Sequence, residues 1–259
     1  MSSMKRVYWI AFLTLTKKEL IRIFRIWPQT ILPTVITMTL YFMIFGHVIG
    51  SQLAHIKGFS YMQYIVPGLV MMPVITNSYI NTGFSFYGAK FSRSIEELLV
   101  APVPAPIMLM GFICGGLIRS LIISTCVLIV ASFFTTLHVH SIILSICIIV
   151  ITALIFAIAG IINGIFATKF DDVSIVPTFL LTPLTYLGGV FYAVSQLPTW
   201  AQYASKINPI FYIINGFREA MLGVSDVNAI YAFVILIVLL IVLFSWAVHL
   251  LNNSYGLRG

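Results

Sequence analysis

Charge-free stretches constrain this chain more than any other feature. Residues 26–56, 58–89, 98–118, 120–168, 173–205 and 227–257 contain no Lys, Arg, Asp or Glu. A helix that crosses hydrocarbon needs about 20 apolar residues, so most of these stretches hold one span with short loops. The 120–168 stretch is too long for one helix and has a single polar cluster, Thr135-Thr136-Leu137-His138-Val139-His140, where it must turn. Composition leaves a bilayer as the only fitting solvent. Of the 259 residues, 60% are hydrophobic and 8% charged, whereas a soluble domain is about one quarter charged. So much apolar surface also excludes disorder.

The predicted fold is an all-α membrane protein. An interfacial helix over residues 1–28 precedes a six-helix transmembrane domain over 29–259, with spans at about 30–50, 61–84, 107–133, 141–167, 174–194 and 229–251. An even number of spans puts both termini on one side. Counting Lys and Arg alone, that side receives Lys5, Arg6, Lys17, Lys18, Arg22, Arg25, Lys90, Arg93, Lys169 and Arg258, and the other receives Lys57, Lys206 and Arg218. The bias predicts cytoplasmic termini. It also accounts for the net charge of +7 without nucleic acid, because no compact basic face exists beyond the N-terminal segment. The apolar run Val7 to Leu15 is followed by Lys17-Lys18-Glu19 and no small-residue cleavage site, so a cleaved signal peptide is not expected. Cys114, Cys126 and Cys147 fall inside spans without metal or CxxC spacing and read as small apolar residues.

Two amphipathic pieces face the cation-rich side. In residues 7–27, Leu13, Leu20, Phe24 and Trp27 recur at helical spacing, Lys18, Arg22 and Arg25 form a second stripe, and Trp9 and Trp27 suit the headgroup layer. This predicts a helix lying in the interface against anionic lipid, with a partner protein as the sharper reading; Pro28 ends it. In Lys90–Leu99, Phe91, Ile95, Leu98 and Leu99 share a face. Arg93 stands three and four residues from Glu96 and Glu97, so a short helix there can satisfy its own charges. Pro102, Pro104 and Pro106 make a stiff connector after it; the alternative is a solvated loop with a helical turn. On the far side, residues 195–228 contain two helix starts, Leu197-Pro198-Thr199-Trp200 and Asn208-Pro209. The segment Ile210 to Leu222 is too short to cross and ends at Gly223. A re-entrant or interfacial hairpin is expected, with Trp200, Tyr203, Phe211 and Tyr212 in the headgroup layer.

No Asp or Glu falls inside a predicted span, and His47, His55, His138, His140 and His249 lie near span ends or in loops. A proton relay is therefore absent from the expected pathway, while sodium coupling through broken helices stays open. Arg119 reads as the one charge at depth, either a functional group or a helix-pairing cation. Asn77 and Asn81 share a face of the second span and should meet other helices or a wet cavity; Asn163 reads similarly. Gly46–Gly50, Gly111–Gly115 and Gly160–Gly164 form GxxxG patterns, which predict close helix packing within or between chains. No GxxxxGK[ST], HExxH or GxSxG is present, nor paired carboxylates in a span. The chain reads as a conduit without cofactor or catalytic centre, and any uphill transport must draw its energy from elsewhere.

Four stretches together resemble a known family. They are Tyr61-Met62-Gln63-Tyr64-Ile65-Val66-Pro67-Gly68, Ser94-Ile95-Glu96-Glu97-Leu98-Leu99-Val100-Ala101-Pro102-Val103-Pro104, Thr182-Pro183-Leu184-Thr185-Tyr186-Leu187-Gly188-Gly189-Val190-Phe191-Tyr192 with Leu197-Pro198 and Trp200, and Asn208-Pro209 with Gly216-Phe217-Arg218. In this order they resemble the membrane permease subunits of ABC-type exporters of the second class, especially small bacterial inner-membrane permeases whose ATPase is a separate polypeptide. The resemblance implies a homodimer whose two copies form the pathway for an unknown exported substrate. Two P-loop ATPase subunits below would bind ATP and magnesium. It implies that the N-terminal helix and the 90–99 helix dock the ATPase, with Glu96 and Glu97 as the leading coupling candidates beside Lys90, Arg93, Lys17, Lys18 and Arg22. Spans one and five would meet across the dimer, spans two and five would flank the pathway, and Asn77, Asn81, Arg119, Tyr186, Phe191 and Tyr192 are its candidate residues. The hairpin bearing Trp200, Asn208, Pro209 and Arg218 resembles the family's external re-entrant helices. A motor-independent secondary transporter or channel is the alternative; a membrane enzyme lacks any supporting constellation.

Overall fold

The computed structural model describes residues 2–50 and 56–253; Arg258 and His55, both used above, lie outside them. Every regular element among the described residues is helical. α1 (Ser2–Arg25) is separated by Ile26 alone from α2 (Trp27–Tyr41), which carries Pro28 in its first turn and widens into π-helical turns over Phe42–Ile49. There follow α3 (Tyr61–Phe91), α4 (Ser94–Val100), α5 (Ala105–Phe134), α6 (Ile142–Phe166), α7 (Phe170–Val176), α8 (Thr182–Leu187), α9 (Thr199–Ile207), α10 (Pro209–Leu222) and α11 (Ala229–Asn252).

Local chemistry starts and stops these helices. Ser60 and Gln63 form a reciprocal capping box at α3. The side chains of Ser141, Asn208 and Asn228 accept from backbone N–H groups at the starts of α6, α10 and α11. Gly223, at φ +72°, closes α10 in the left-handed conformation. The long neutral stretch turns over 135–141, where the sequence predicts.

Four stretches are long and apolar enough to cross a membrane by length and composition: Trp27–Gly46, Ala105–Phe134, Ile142–Phe166 and Ile230–Asn252. The expected second span, α3, has 31 residues, or about 46 Å at 1.5 Å per residue, yet is too polar to join them. Its position explains this. α3 packs most extensively on α6 and α5 and also meets α10, α7 and α2, so protein rather than lipid surrounds it. Ser78, Asn81 and Thr82 are buried there. The helix expected over 174–194 instead runs from Phe170 to Leu187, continuous but widened in its middle. Pro177 and Pro183 lack N–H groups, the segment passes through π-helical turns at Pro177–Leu181, and α8 ends at Leu187, before Gly188 and Gly189.

The loops sort into two ends of the bundle. At one end, Lys57 pairs with Asp226 at 2.6 Å, Gln63 donates to Thr136 at 3.1 Å, and the His140 and Ser141 N–H groups donate to the Met221 and Ala220 carbonyls. At the other, the Lys90 ammonium donates to the Ile165 and Ala167 carbonyls, at the C-terminus of α6, and Tyr87 to the Thr168 carbonyl.

Two of the GxxxG patterns pack helices within the chain. Gly111 and Gly115 of α5 lie against Leu15 and Glu19 of α1, and Gly160 and Gly164 of α6 lie against the backbone of α3 at Tyr79 and Gly83. A Cβ at Gly160 would sit 2.2 Å from the Tyr79 carbonyl oxygen, whereas one at Gly88 would meet nothing within 4 Å. Gly160→Ala should therefore destabilise the protein by about 1–3 kcal/mol. Gly88→Ala should be neutral or slightly stabilising; equilibrium unfolding in detergent micelles compares the two.

Candidate functional site

Along α3, Asn77, Asn81 and Ser85 recur every four residues and so form one stripe. The stripe meets α1 and α5. Asn81 Oδ1 accepts from Arg22 Nη2 at 2.9 Å and from Arg119 Nη1 at 3.1 Å, and Asn77 Oδ1 accepts from Arg119 Nη2 at 2.9 Å. Arg22 also donates to the Asn81 carbonyl and pairs with Glu19 at 2.7 Å, while Ser85 donates to the other Glu19 oxygen at 2.6 Å. The result is a continuous polar ladder, Ser85–Glu19–Arg22–Asn81–Arg119–Asn77, crossing three helices. Glu19 is 1% exposed and Arg119 5%.

This arrangement corrects one expectation. Arg119 is not the one charge at depth, because Glu19 and Arg22 join it. The N-terminal helix also carries a stripe that its spacing does not single out. Leu15, Glu19 and Ile23 pack inward, while Leu13, Phe24 and Trp27, expected to face lipid, are exposed. The two glycines of α5 make room for the inward stripe, since they let α1 approach closely along Leu15 and Glu19.

A second buried charge lies at the opposite end of α3. Arg218 of α10 is fully buried, its guanidinium 4.1 Å from the centre of the Tyr64 ring. It donates to the Gly189 carbonyl at 2.7 Å and to Asn215 Oδ1 at 3.4 Å. Asn215 Oδ1 also accepts from the Asp226 N–H, and the Asp226 carboxylate accepts from the Val194 N–H and pairs with Lys57. Arg218, counted above among the cations of the external side, is the internal peg of a wedge, because α10 packs on α11, α3 and α6. α9, just before α10, has the opposite surroundings: its Trp200 and Tyr203 are 72% and 68% exposed. Asn208 caps α10 and also donates to the Leu184 carbonyl, with Pro209 at the first helical position.

The remaining candidates fall in four places. Lys17 and Lys18 are exposed on α1, away from the ladder. Glu96 and Glu97 are exposed in the first turn of α4. Arg93 does not pair with them among the described residues. α4 begins only at Ser94, and Arg93 sits before it at φ +58°, outside the helical register. Lys90 is the last turn of α3 and caps α6. Tyr186, Phe191 and Tyr192 gather with Tyr41 and Phe45 of the first apolar stretch. The Tyr41 and Tyr186 hydroxyls are 3.4 Å apart, and Phe45 and Phe191 ring centres 4.5 Å. Sequence reasoning missed Glu19, Asn215 and Asp226. The lone acid in a cationic helix was the available signal for the first.

The model of the ABC-2 type transporter family matches residues 10–222. The chain belongs to the ABC-2 type transporter family. It is 50% identical over 255 residues to the inner membrane transport permease YadH of Escherichia coli (strain K12), covering 98% of this chain and 100% of that one. It is also similar to nodulation protein J of Rhizobium leguminosarum bv. viciae, 23% identical over 80% of this chain and 81% of that one. The similarity to nodulation protein J of Rhizobium meliloti (strain 1021) is 24% over 69% and 68%. This ABC-2 protein is thus a membrane permease subunit, and its ladder and wedge are parts of a transport protein.

In an ABC-2 permease so poor in charge, the ladder should carry measurable stability. Glu19→Gln leaves two guanidiniums with no carboxylate and should cost about 2–4 kcal/mol. Glu96→Gln, at an exposed site, should change stability by no more than about 0.5 kcal/mol. Unfolding titrations of both variants check the contrast.

Proposed function

We propose that this permease is the membrane subunit of an ATP-driven exporter, with two copies forming the pathway and a separate P-loop ATPase docked at the cation-rich end. In this reading the chain spans a bacterial inner membrane six times, over 27–49, 61–91, 105–134, 142–166, 170–187 and 229–252. α9 and α10 form the external re-entrant hairpin, α1 is the interfacial domain, and both termini are cytoplasmic. ATP and magnesium belong to the partner, and the chain itself performs no hydrolysis. Membrane lipid covers the exposed apolar side chains of α1.

The observation that carries the reading is the division of charge between the two ends. Lys5, Arg6, Lys17, Lys18, Arg25, Lys90, Arg93 and Lys169 belong to elements of one end. At the other, Arg218 is buried, Lys57 is exposed but paired with Asp226, and Lys206 is exposed. The bias fits a cytoplasmic face. On that face α1 and α4 offer exposed charge of both signs, and α1 reaches the bundle centre through the ladder. Lys17, Lys18, Glu96, Glu97 and Arg93 are the proposed contacts to the ATPase. Arg22 acts behind them, and Lys90 fixes the end of α3 on which α4 follows. Asn77, Asn81, Arg119 and the Tyr186–Phe191–Tyr192 cluster flank the proposed pathway. The full-length match to an inner membrane transport permease supports the same membrane.

Co-purification with a P-loop ATPase, sought first in the neighbouring reading frames, tests the reading. A stable complex with substrate-stimulated hydrolysis is expected; transport in vesicles without ATP would contradict it and favour a motor-independent transporter. Glu96→Lys with Glu97→Lys should leave the permease folded but weaken ATPase binding by about tenfold or more, measured by titrating the ATPase onto reconstituted permease.

A further inference from the structure

The ladder sets one carboxylate against two guanidiniums. Arg119 pairs with no carboxylate among the described residues; its partners are two neutral amide oxygens. Its Nε has no acceptor although shut from solvent, and neither has Asn81 Nδ2. A buried cation with idle donors is costly unless something other than the protein supplies the acceptor. The ladder ends at Asn77, on the wall of a groove of about 210 Å³ between α2 and α3. Thr34, Thr37 and Thr76 line this groove on one side of its chemistry, and Met38 and Met72 on the other. The three hydroxyls donate to carbonyls of their own helices. Arg119 stands directly behind Asn77, 2.9 Å from its amide oxygen.

We propose that Arg119, with Arg22 behind Asn81, recognises the anionic group of an amphipathic cargo, a phosphate or carboxylate carrying a hydrocarbon tail, seated in the α2–α3 groove. The proposal rests on the permease reading and adds the substrate class. The anion replaces the Asn77 oxygen at Arg119 Nη2 and engages the idle Nε, while the tail lies along Met38 and Met72. Charge excess selects the headgroup, and the mixed lining selects an amphiphile over a small ion.

The test uses the full chain in zwitterionic lipid nanodiscs, without nucleotide or ATPase, and measures binding of dodecyl phosphate. Saturable binding is expected, weakened by about tenfold or more in Arg119→Gln through loss of charge-assisted hydrogen bonds and largely kept in Arg119→Lys. Thr37→Trp, which fills the groove from α2 while leaving every ladder residue in place, should lose it too. Inorganic phosphate and dodecyl maltoside should compete poorly. No saturable binding, binding retained in Arg119→Gln or Thr37→Trp, or inorganic phosphate competing as strongly as dodecyl phosphate overturns the proposal. None of these outcomes touches the ATPase-coupled reading, which depends on a separate complex.

Discussion

The Asn81 carboxamide oxygen holds the charges of this bundle together. It accepts from Arg22 of α1 and Arg119 of α5 at once, and so ties two helices to the polar stripe of α3. Without such partners α3 could not sit among apolar helices, since unpaired amides and guanidiniums in hydrocarbon cost several kcal/mol each. With them, a helix more polar than its long neighbours α5, α6 and α11 becomes the most central one. The close approaches at Gly111, Gly115 and Gly160 follow the same logic, because hydrogen bonds across helices require backbones near enough to reach.

The geometry also gives α1 a mechanical meaning. A helix resting on lipid alone could tilt freely, but α1 is fixed by packing on α5 and by the Glu19–Arg22 pair on α3. At the opposite end the Arg218 wedge and the Lys57–Asp226 pair lock α10 and the preceding irregular segment onto α3. The permease therefore has a polar fastening at each end of one helix. In the proposed exporter, force applied to α1 by an ATPase reaches the middle of the bundle through side chains that are already bonded.

Much of this was legible in the residue order. The helix start at Asn208–Pro209, the stop at Gly223 and the turn over 135–140 are local, and local chemistry reads directly from sequence. The asparagines at 77 and 81 and the arginine at 119 stood out for the same reason. Their union did not, because helical spacing reveals which residues share a face but not which faces adjoin. Glu19 stands among Lys17, Lys18 and Arg22, and nothing local reveals the α5 glycines opposite it. Arg218 sits in a helix too short to cross, and Tyr64, its aromatic partner, is remote in sequence. The proline at 177 was visible and the helix widens there, yet only the packing of α8 and α10 determines that it ends at Leu187.

The central claim is that α1 and α3 are energetically joined through Arg22 and Asn81. A double-mutant cycle with Arg22→Ala and Asn81→Ala, read as unfolding free energy of the reconstituted permease, tests it most directly. The account predicts an interaction energy of about 1 kcal/mol or more between the two sites, whereas effects that add to within about 0.3 kcal/mol would contradict it.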